Sequence, residues 1–186
     1  MSTNYSNPAY WDKRYSKSGP NASLDWLESY HSLKNLLAEV MPPRGGTTET
    51  SILVLGCGNA QFSEDMYDAG YKNQLNVDIS PVCIQQMQER NRELRPELRF
   101  QVMDITDMSE LESCSFDIAI DKSTIDALLC GRGGALKVAQ MLNETQRVLK
   151  PETGVYFAVS FGGPQCRSFH LKQPFLSLEL REVFIK

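Results

Sequence analysis

The apolar positions of the chain change period several times, and each change marks an element. From Ser23 to Val40, the residues Leu24, Leu27, Leu33, Leu36, Leu37 and Val40 approximate a helical repeat, Ser23 stands as an N-cap and Pro42-Pro43 stops the segment. The spacing predicts a helix over 23–40. The connection MPPRGGTTET leads to ILVL (Ile52 to Leu55), which is short and uniformly apolar and so reads as a buried parallel strand. A helix from about Ala60 to Ala69, a strand QLNVD (Gln74 to Asp78), and a helix opened by Ser80-Pro81 and running to about Leu94 come next. Strands over Leu98–Asp104 and Ser115–Asp121, a helix from about Ala135 to Leu149, and a strand over Val155–Phe161 complete the alternation. GGPQCRSFHLKQ reads as a turn and short helix, and Phe175–Lys186 as one more strand. Strands alternating with helices predict a doubly wound, Rossmann-like α/β fold, a mostly parallel sheet with helices on both faces. The first 22 residues carry Tyr10, Trp11 and Tyr15 with no sustained period and read as an aromatic arm laid on the core.

Composition narrows the class. At 186 residues and 41% hydrophobic, one core is expected, divided into the arm (1–22), a pre-core helix (23–40), a core (50–161) and a C-terminal edge (162–186). A net charge of −4 gives no basic character, which argues against a nucleic-acid partner. No apolar run is long enough to span a membrane and the N-terminus lacks the pattern of a signal peptide, so a cytoplasmic protein with no membrane partner is expected. Cys57, Cys83, Cys114, Cys130 and Cys166 form no CxxC pair, and His31 and His170 add no metal-ligand spacing. Reduced structural cysteines and no metal are the reading.

In a doubly wound sheet the ligand sits outside the carboxyl ends of the strands. Strand one ends in Gly56-Cys57-Gly58-Asn59, strand two in Asp78, strand three in Asp104 and strand four in Asp121-Lys122. Glycines at a strand-to-helix turn let backbone approach a ligand. Asp78 lies 22 positions after Gly56 (78 − 56), near the spacing at which a carboxylate accepts both ribose hydroxyls, and Asp104 is one strand further, in reach of an adenine amino group. Any one of these aspartates alone reads first as a turn cap. Together they are the parts of an adenosine site. A dinucleotide fingerprint requires a third glycine, which GCGNAQ lacks, and Glu64 and Asp65 in the following helix start oppose a pyrophosphate while tolerating a cationic nucleoside. That favours S-adenosylmethionine over a nicotinamide cofactor.

LVLGCGN, NVDIS, MDITDM and FDIAIDKSTIDALL resemble the successive motifs of class I, seven-strand S-adenosylmethionine-dependent methyltransferases. More narrowly, AYWDKRY, DWLESY, LGCGNAQFSEDMYDAGY, NVDISPVCIQQM, DKSTIDALL and RVLKPETGVY are similar to the subgroup of elongation factor 1-alpha lysine methyltransferases, including the domain fused to an endothelin-converting enzyme. The likeness runs from about Pro8 to Val159, and its most specific pieces are the YWxxRY arm and DKxTxDA. It implies that Gly56 and Gly58 line the methionine part of the cofactor, Asp78 and Ile79 hold the ribose, and Asp104 and Ile105 hold the adenine. Lys122 lies beside the cofactor in that scheme, and Trp11, Tyr15 and Trp26 close over it, with π-faces near a sulfonium; the alternative for these aromatics is that they only pin the arm. The family writes glycine where this chain has Ser123, and it adds a reversed strand after the last one seen here, so an incomplete C-terminal hairpin is expected.

Methyl transfer from a sulfonium needs a neutral amine aligned with the methyl and shielded from water. Asp121 is the first candidate for the transfer site, positioning a cationic amine by charge from a strand tip; the competing reading makes 121–126 a helix-capping turn. No Asn-Pro-Pro-Tyr segment follows strand four, which disfavours an amide or nucleobase target. A lysine of a protein such as elongation factor 1-alpha is the expected acceptor and S-adenosylhomocysteine the product. A small-molecule methyltransferase and a catalytically silent binding module remain open, as does the oligomeric state.

Overall fold

The computed structural model describes residues 5–41 and 49–183. The Pro42-Pro43 stop, most of the connection after it, the first four residues of the arm and Phe184–Lys186 of the last expected strand lie outside the described residues. The elements run α1 (Pro8–Ser18), α2 (Tyr30–Val40), β1 (Ile52–Leu55), α3 (Phe62–Asp68), β2 (Gln74–Asp78), α4 (Pro81–Asn91), β3 (Arg99–Val102), β4 (Ile118–Lys122), α5 (Thr124–Leu129), α6 (Gly134–Val148), β5 (Val155–Val159) and α7 (Pro164–Leu171). The strands form one sheet in the order β3-β2-β1-β4-β5, every pair parallel. This is the expected α/β architecture, with the direction of winding changing at β1 and β4.

Side-chain alternation along the strands sorts the two faces. Ile52, Val54, Ile118 and Ile120 pack against Leu33 and Leu37 of α2 and Phe62 and Met66 of α3. Leu53, Leu55 and Ala119 turn the other way, onto Ile125 of α5 and Val138, Met141 and Leu142 of α6. Leu33, Leu53, Ile118 and Ile120 have no exposed surface, each contributing roughly 1.5–3 kcal/mol. β2 alternates polar and apolar yet is buried throughout. Its polar side chains bond inside, Gln74 donating to the Ser63 carbonyl at 3.2 Å and Asn76 to the Arg99 carbonyl at 3.1 Å, while the Gln74 Oε1 is buried without a partner.

Three expectations are corrected. The arm is mostly helix: Asn7 accepts from the Ala9 N–H at 3.1 Å, Pro8 occupies the first turn, and Tyr15 is buried against Cys83, Ile84 and Met87 of α4. Its apolar face consists of aromatics one turn apart, Trp11 and Tyr15. The pre-core helix begins at Tyr30, not Ser23, because Leu27 holds φ at 64° and Ser29 is the cap, accepting from the Ser32 N–H at 3.3 Å. Residues 23–29 are instead a strap toward the strand tips. The described part of the last expected strand, 175–183, pairs with no strand; the Ser177 N–H donates to Gln146 of α6 at 2.6 Å, and Arg181 meets Glu39 of α2 at 2.8 Å. The β5 edge therefore carries no further strand among the described residues.

Candidate active site

At the carboxyl ends of β1, β2 and β4 lies a cavity of about 370 Å³, within the range of small-molecule sites. Its floor is the turn after β1. Gly56 and Gly58 hold φ of 63° and 57°, a region costly for side-chain-bearing residues. A Cβ on Gly56 comes within 2.8 Å of Thr124 Cγ2, and one on Gly58 within 3.1 Å of the Tyr15 hydroxyl. The Thr124 hydroxyl donates to the Leu55 carbonyl at 2.8 Å, locking the start of α5 over the end of β1.

Asp78 stands at the tip of β2, almost fully buried. One oxygen accepts the Gly58 N–H at 3.0 Å and the other the Ser80 N–H at 2.9 Å, so the carboxylate shapes the glycine turn and starts α4. Burial pushes its carboxyl up to about 6, against the pull of those two N–H donors. Ile79, Asp104 and Ile105 line the same end. Asp104 is exposed and accepts the Thr106 N–H at 2.9 Å and hydroxyl at 2.7 Å, an Asx turn that presents it at the rim.

The cover is aromatic. Trp11 stacks on Tyr15 with centroids 5.8 Å apart and meets Trp26 edge-on at 6.5 Å, and its indole N–H donates to the Tyr5 carbonyl at 2.7 Å. Lys122, at the end of β4, ties down the strap: its ammonium donates to the Trp26 carbonyl at 2.8 Å, pairs with Asp25 at 3.0 Å and lies 5.5 Å over the Phe62 ring. Burial lowers its pKa and Asp25 acts against this, leaving it below the usual lysine value. Trp11, Tyr15, Trp26, Gly56, Gly58, Asp78, Ile79, Asp104, Ile105 and Lys122 thus meet around one cavity.

Asp121 does not join them. β4 continues through Lys122, so Asp121 is inside the strand, and its side chain points with Ala119 to the face closed by α5. It has no exposed surface, and its oxygens accept the Thr124 N–H at 2.8 Å, the Ile125 N–H at 3.1 Å and the Tyr156 hydroxyl at 2.7 Å. Burial pushes it up to about 6 against those donors. It caps α5, and the expectation that it faces an incoming amine is corrected. Ser123 between them sits at φ 71°, the conformation a glycine adopts freely.

Arg90 escaped the sequence reading. Its guanidinium donates to Glu64 at 2.7 Å, the Ala22 carbonyl at 3.2 Å and the Asn59 carbonyl at 3.2 Å, joining the end of the arm, the glycine turn and α3. Glu64 is therefore a buried, neutralised partner, so the argument that it repels a pyrophosphate fails. The only signal was the polar pair Arg90-Asn91 at the end of a helix whose other buried positions, Cys83, Ile84 and Met87, are apolar. Of the cysteines, Cys83 is buried, whereas Cys114, Cys130 and Cys166 are exposed, contrary to a uniformly structural set. No cluster of metal-binding side chains occurs among the described residues.

Comparison with known proteins gives the family. Residues 47–162 match the family described as "Methyltransferase domain". The chain belongs to this methyltransferase family. It is 34% identical to EEF1A lysine methyltransferase 4 of Mus musculus, over 96% of this chain and 70% of that protein. It is 40% identical to the eEF1A lysine and N-terminal methyltransferase of Danio rerio over 78% of this chain, spanning only 20% of that longer protein. Among solved structures, PH0226 of Pyrococcus horikoshii OT3 superposes with a TM-score of 0.59 at 27% identity, covering 78% of this chain and 64% of that one. The phosphoethanolamine N-methyltransferase 1 of Haemonchus contortus, at 18% identity and a TM-score of 0.62, shares the fold.

Proposed function

We propose that the cavity holds S-adenosylmethionine and that the protein methylates a lysine side chain of elongation factor 1-alpha. The carrying observation is the convergence of bare backbone at Gly56 and Gly58, the Asp78 carboxylate and the Trp11, Tyr15 and Trp26 cover on a single cavity. These residues fit the cofactor. Each Asp78 oxygen spends one lone pair on a backbone N–H and keeps capacity for a ribose hydroxyl. Ile79 packs on the sugar, Asp104 and Ile105 take the adenine, and the two glycines leave room for the methionine part. The aromatics exclude water and offer π-faces to a cation, and Lys122 holds the strap that carries Trp26. Bound there, S-adenosylmethionine would supply an activated sulfonium methyl for a deprotonated acceptor amine, with S-adenosylhomocysteine as the leaving group, and these residues would hold and shield it.

The relatives named for elongation factor 1-alpha support the substrate, and a substrate of the translation machinery goes with a cytosolic location. No helix among the described residues is long and apolar enough to cross a membrane. The test is incubation with S-adenosylmethionine and unmethylated recombinant elongation factor 1-alpha, read by mass spectrometry of its peptides. Methyl on a defined lysine is expected. Tight S-adenosylhomocysteine binding with no methyl on this factor or on any extract protein contradicts the enzyme and leaves a binding module.

A further inference from the structure

The correction at Asp121 leaves the acceptor end of the cavity without its expected carboxylate, and the structure supplies another. Three carboxylates line the cavity among the described residues: Asp78, Asp104 and Asp126. The first two belong to the tips of β2 and β3. Asp126, in the first turn of α5, bonds to the tip of β5 instead, three strand spacings from β2 and four from β3, about 14–19 Å. A nucleoside seated on Asp78 and Asp104 leaves this opposite end, walled by Ser123, Leu128, Lys137 and Phe161, for the acceptor. Phe161 there is 85% exposed, an apolar ring at the mouth.

We propose that Asp126, braced by Arg167 of α7, is the carboxylate that positions the acceptor amine; the inference rests on the function proposed above. One Asp126 oxygen accepts from the Ser160 hydroxyl at 2.7 Å and from the Arg167 guanidinium, the other from the Phe161 N–H at 3.0 Å and the Ser123 hydroxyl at 3.2 Å. Arg167 also donates to the Ser160 hydroxyl at 2.7 Å and does not line the cavity, so it holds Asp126 from the side away from the substrate. Burial acts to raise the Asp126 carboxyl, but the Ser160, Arg167 and Phe161 donors prevail and keep it below the usual range, hence ionised.

The brace has a chemical consequence. A bare carboxylate beside a lysine stabilises the ammonium form and opposes the proton loss that methyl transfer requires. Four donors fill the lone-pair sites of Asp126, so the amine takes the place of the Ser123 hydroxyl, the longest of them at 3.2 Å and free to rotate, while the guanidinium pairing makes the carboxylate favour the ammonium less. Asp126 thus orients the nitrogen, and Arg167 keeps that contact from raising the amine's pKa. Asp121 of β4 and Tyr156 of β5 feel the charge of this carboxylate, His170 of α7 that of Arg167, and Lys122, Cys130 and Lys137 line the same cavity.

The experiment measures steady-state methylation of elongation factor 1-alpha across pH for wild type, Asp126→Asn, Asp126→Glu and Arg167→Met, with S-adenosylhomocysteine affinity by calorimetry on each. Asp126→Asn is expected to raise KM for the protein substrate about tenfold or more with cofactor affinity within about twofold of wild type, and Asp126→Glu to recover most of it. Arg167→Met is expected to move the acid limb of kcat/KM to higher pH by about half a unit or more, a shift that mere loss of a structural staple does not produce. If Asp126→Asn does not fold, the Arg167→Met profile carries the decision alone. Unchanged KM in Asp126→Asn, or superimposable pH profiles for Arg167→Met and wild type, overturns the assignment while the proposed function stands. No methyl transfer by wild type overturns both.

Discussion

Replacing Asp78 with asparagine separates what this carboxylate does for binding from what it does for stability. Its two oxygens each accept one backbone N–H, and hydrogen bonds to a charged acceptor are worth roughly 1.5–3 kcal/mol. Asparagine retains one oxygen and turns an NH2 toward a donor, so one ribose contact and the charge are lost, about 2–4 kcal/mol or roughly 30- to 1,000-fold in affinity. Stability moves less. A carboxyl that titrates near 6 in the fold and at 3.8 as a free group has given up about 3 kcal/mol of preference for its charged form. Because the folded value is raised, that group's contribution to stability is complete below pH 3.8 and lost as pH rises through about 6. At pH 7 asparagine avoids this cost and offsets the lost hydrogen bond. Calorimetric titration with S-adenosylhomocysteine beside thermal melts from pH 5 to 8 is the assay. Wild type should lose about tenfold affinity per unit below pH 6, and the variant should bind weakly with little pH dependence while melting within a few degrees of wild type at pH 7. Full affinity in the variant, or a collapse of its fold at pH 7, refutes the reasoning.

Gly56→Ala puts a methyl at φ 63° against Thr124, so a loss of about 2–4 kcal/mol is expected, seen as a lowered denaturant midpoint together with lost cofactor binding. Ser123→Gly relieves a side-chain-bearing residue at φ 71° and should stabilise by about 0.5–1 kcal/mol in chemical denaturation; a destabilised variant contradicts the strain reading. Thiol titration of the native protein should show Cys114, Cys130 and Cys166 reacting fast and Cys57 and Cys83 slowly, with S-adenosylhomocysteine slowing Cys57 further and not Cys83.

What the sequence made legible were the parts governed by local chemistry. ILVL followed by two glycines, Ser80-Pro81 before α4, and acids at successive strand ends are signals confined to a few residues, and the sheet and the adenosine end of the site follow from them. The failures share a different cause. Helix α1 buries one aromatic stripe, Trp11 and Tyr15, on α4, a docking surface distant in sequence that no periodicity announces. Asp121 and Asp126 are both acids in one short segment. Which of them faces the cavity depends on β4 reaching Lys122 and on α5 folding over its end, a matter of tertiary register. The Arg90 clamp, which joins residues 22, 59 and 64, is likewise invisible until three elements meet. The segment after α7 looked like a strand because FLSLEL alternates, but it bonds to side chains of α6 and α2 instead of to β5.

The most direct measurement of the central claim is calorimetric titration of the purified protein with S-adenosylmethionine, S-adenosylhomocysteine and NAD, with Trp11→Ala beside wild type. The account predicts one site of micromolar affinity for both sulfur nucleosides, weakened when the aromatic cover is removed, and no binding of NAD. Absence of binding by either sulfur nucleoside, or preferential binding of NAD, contradicts it, and would reduce the aspartates at the strand tips to turn caps.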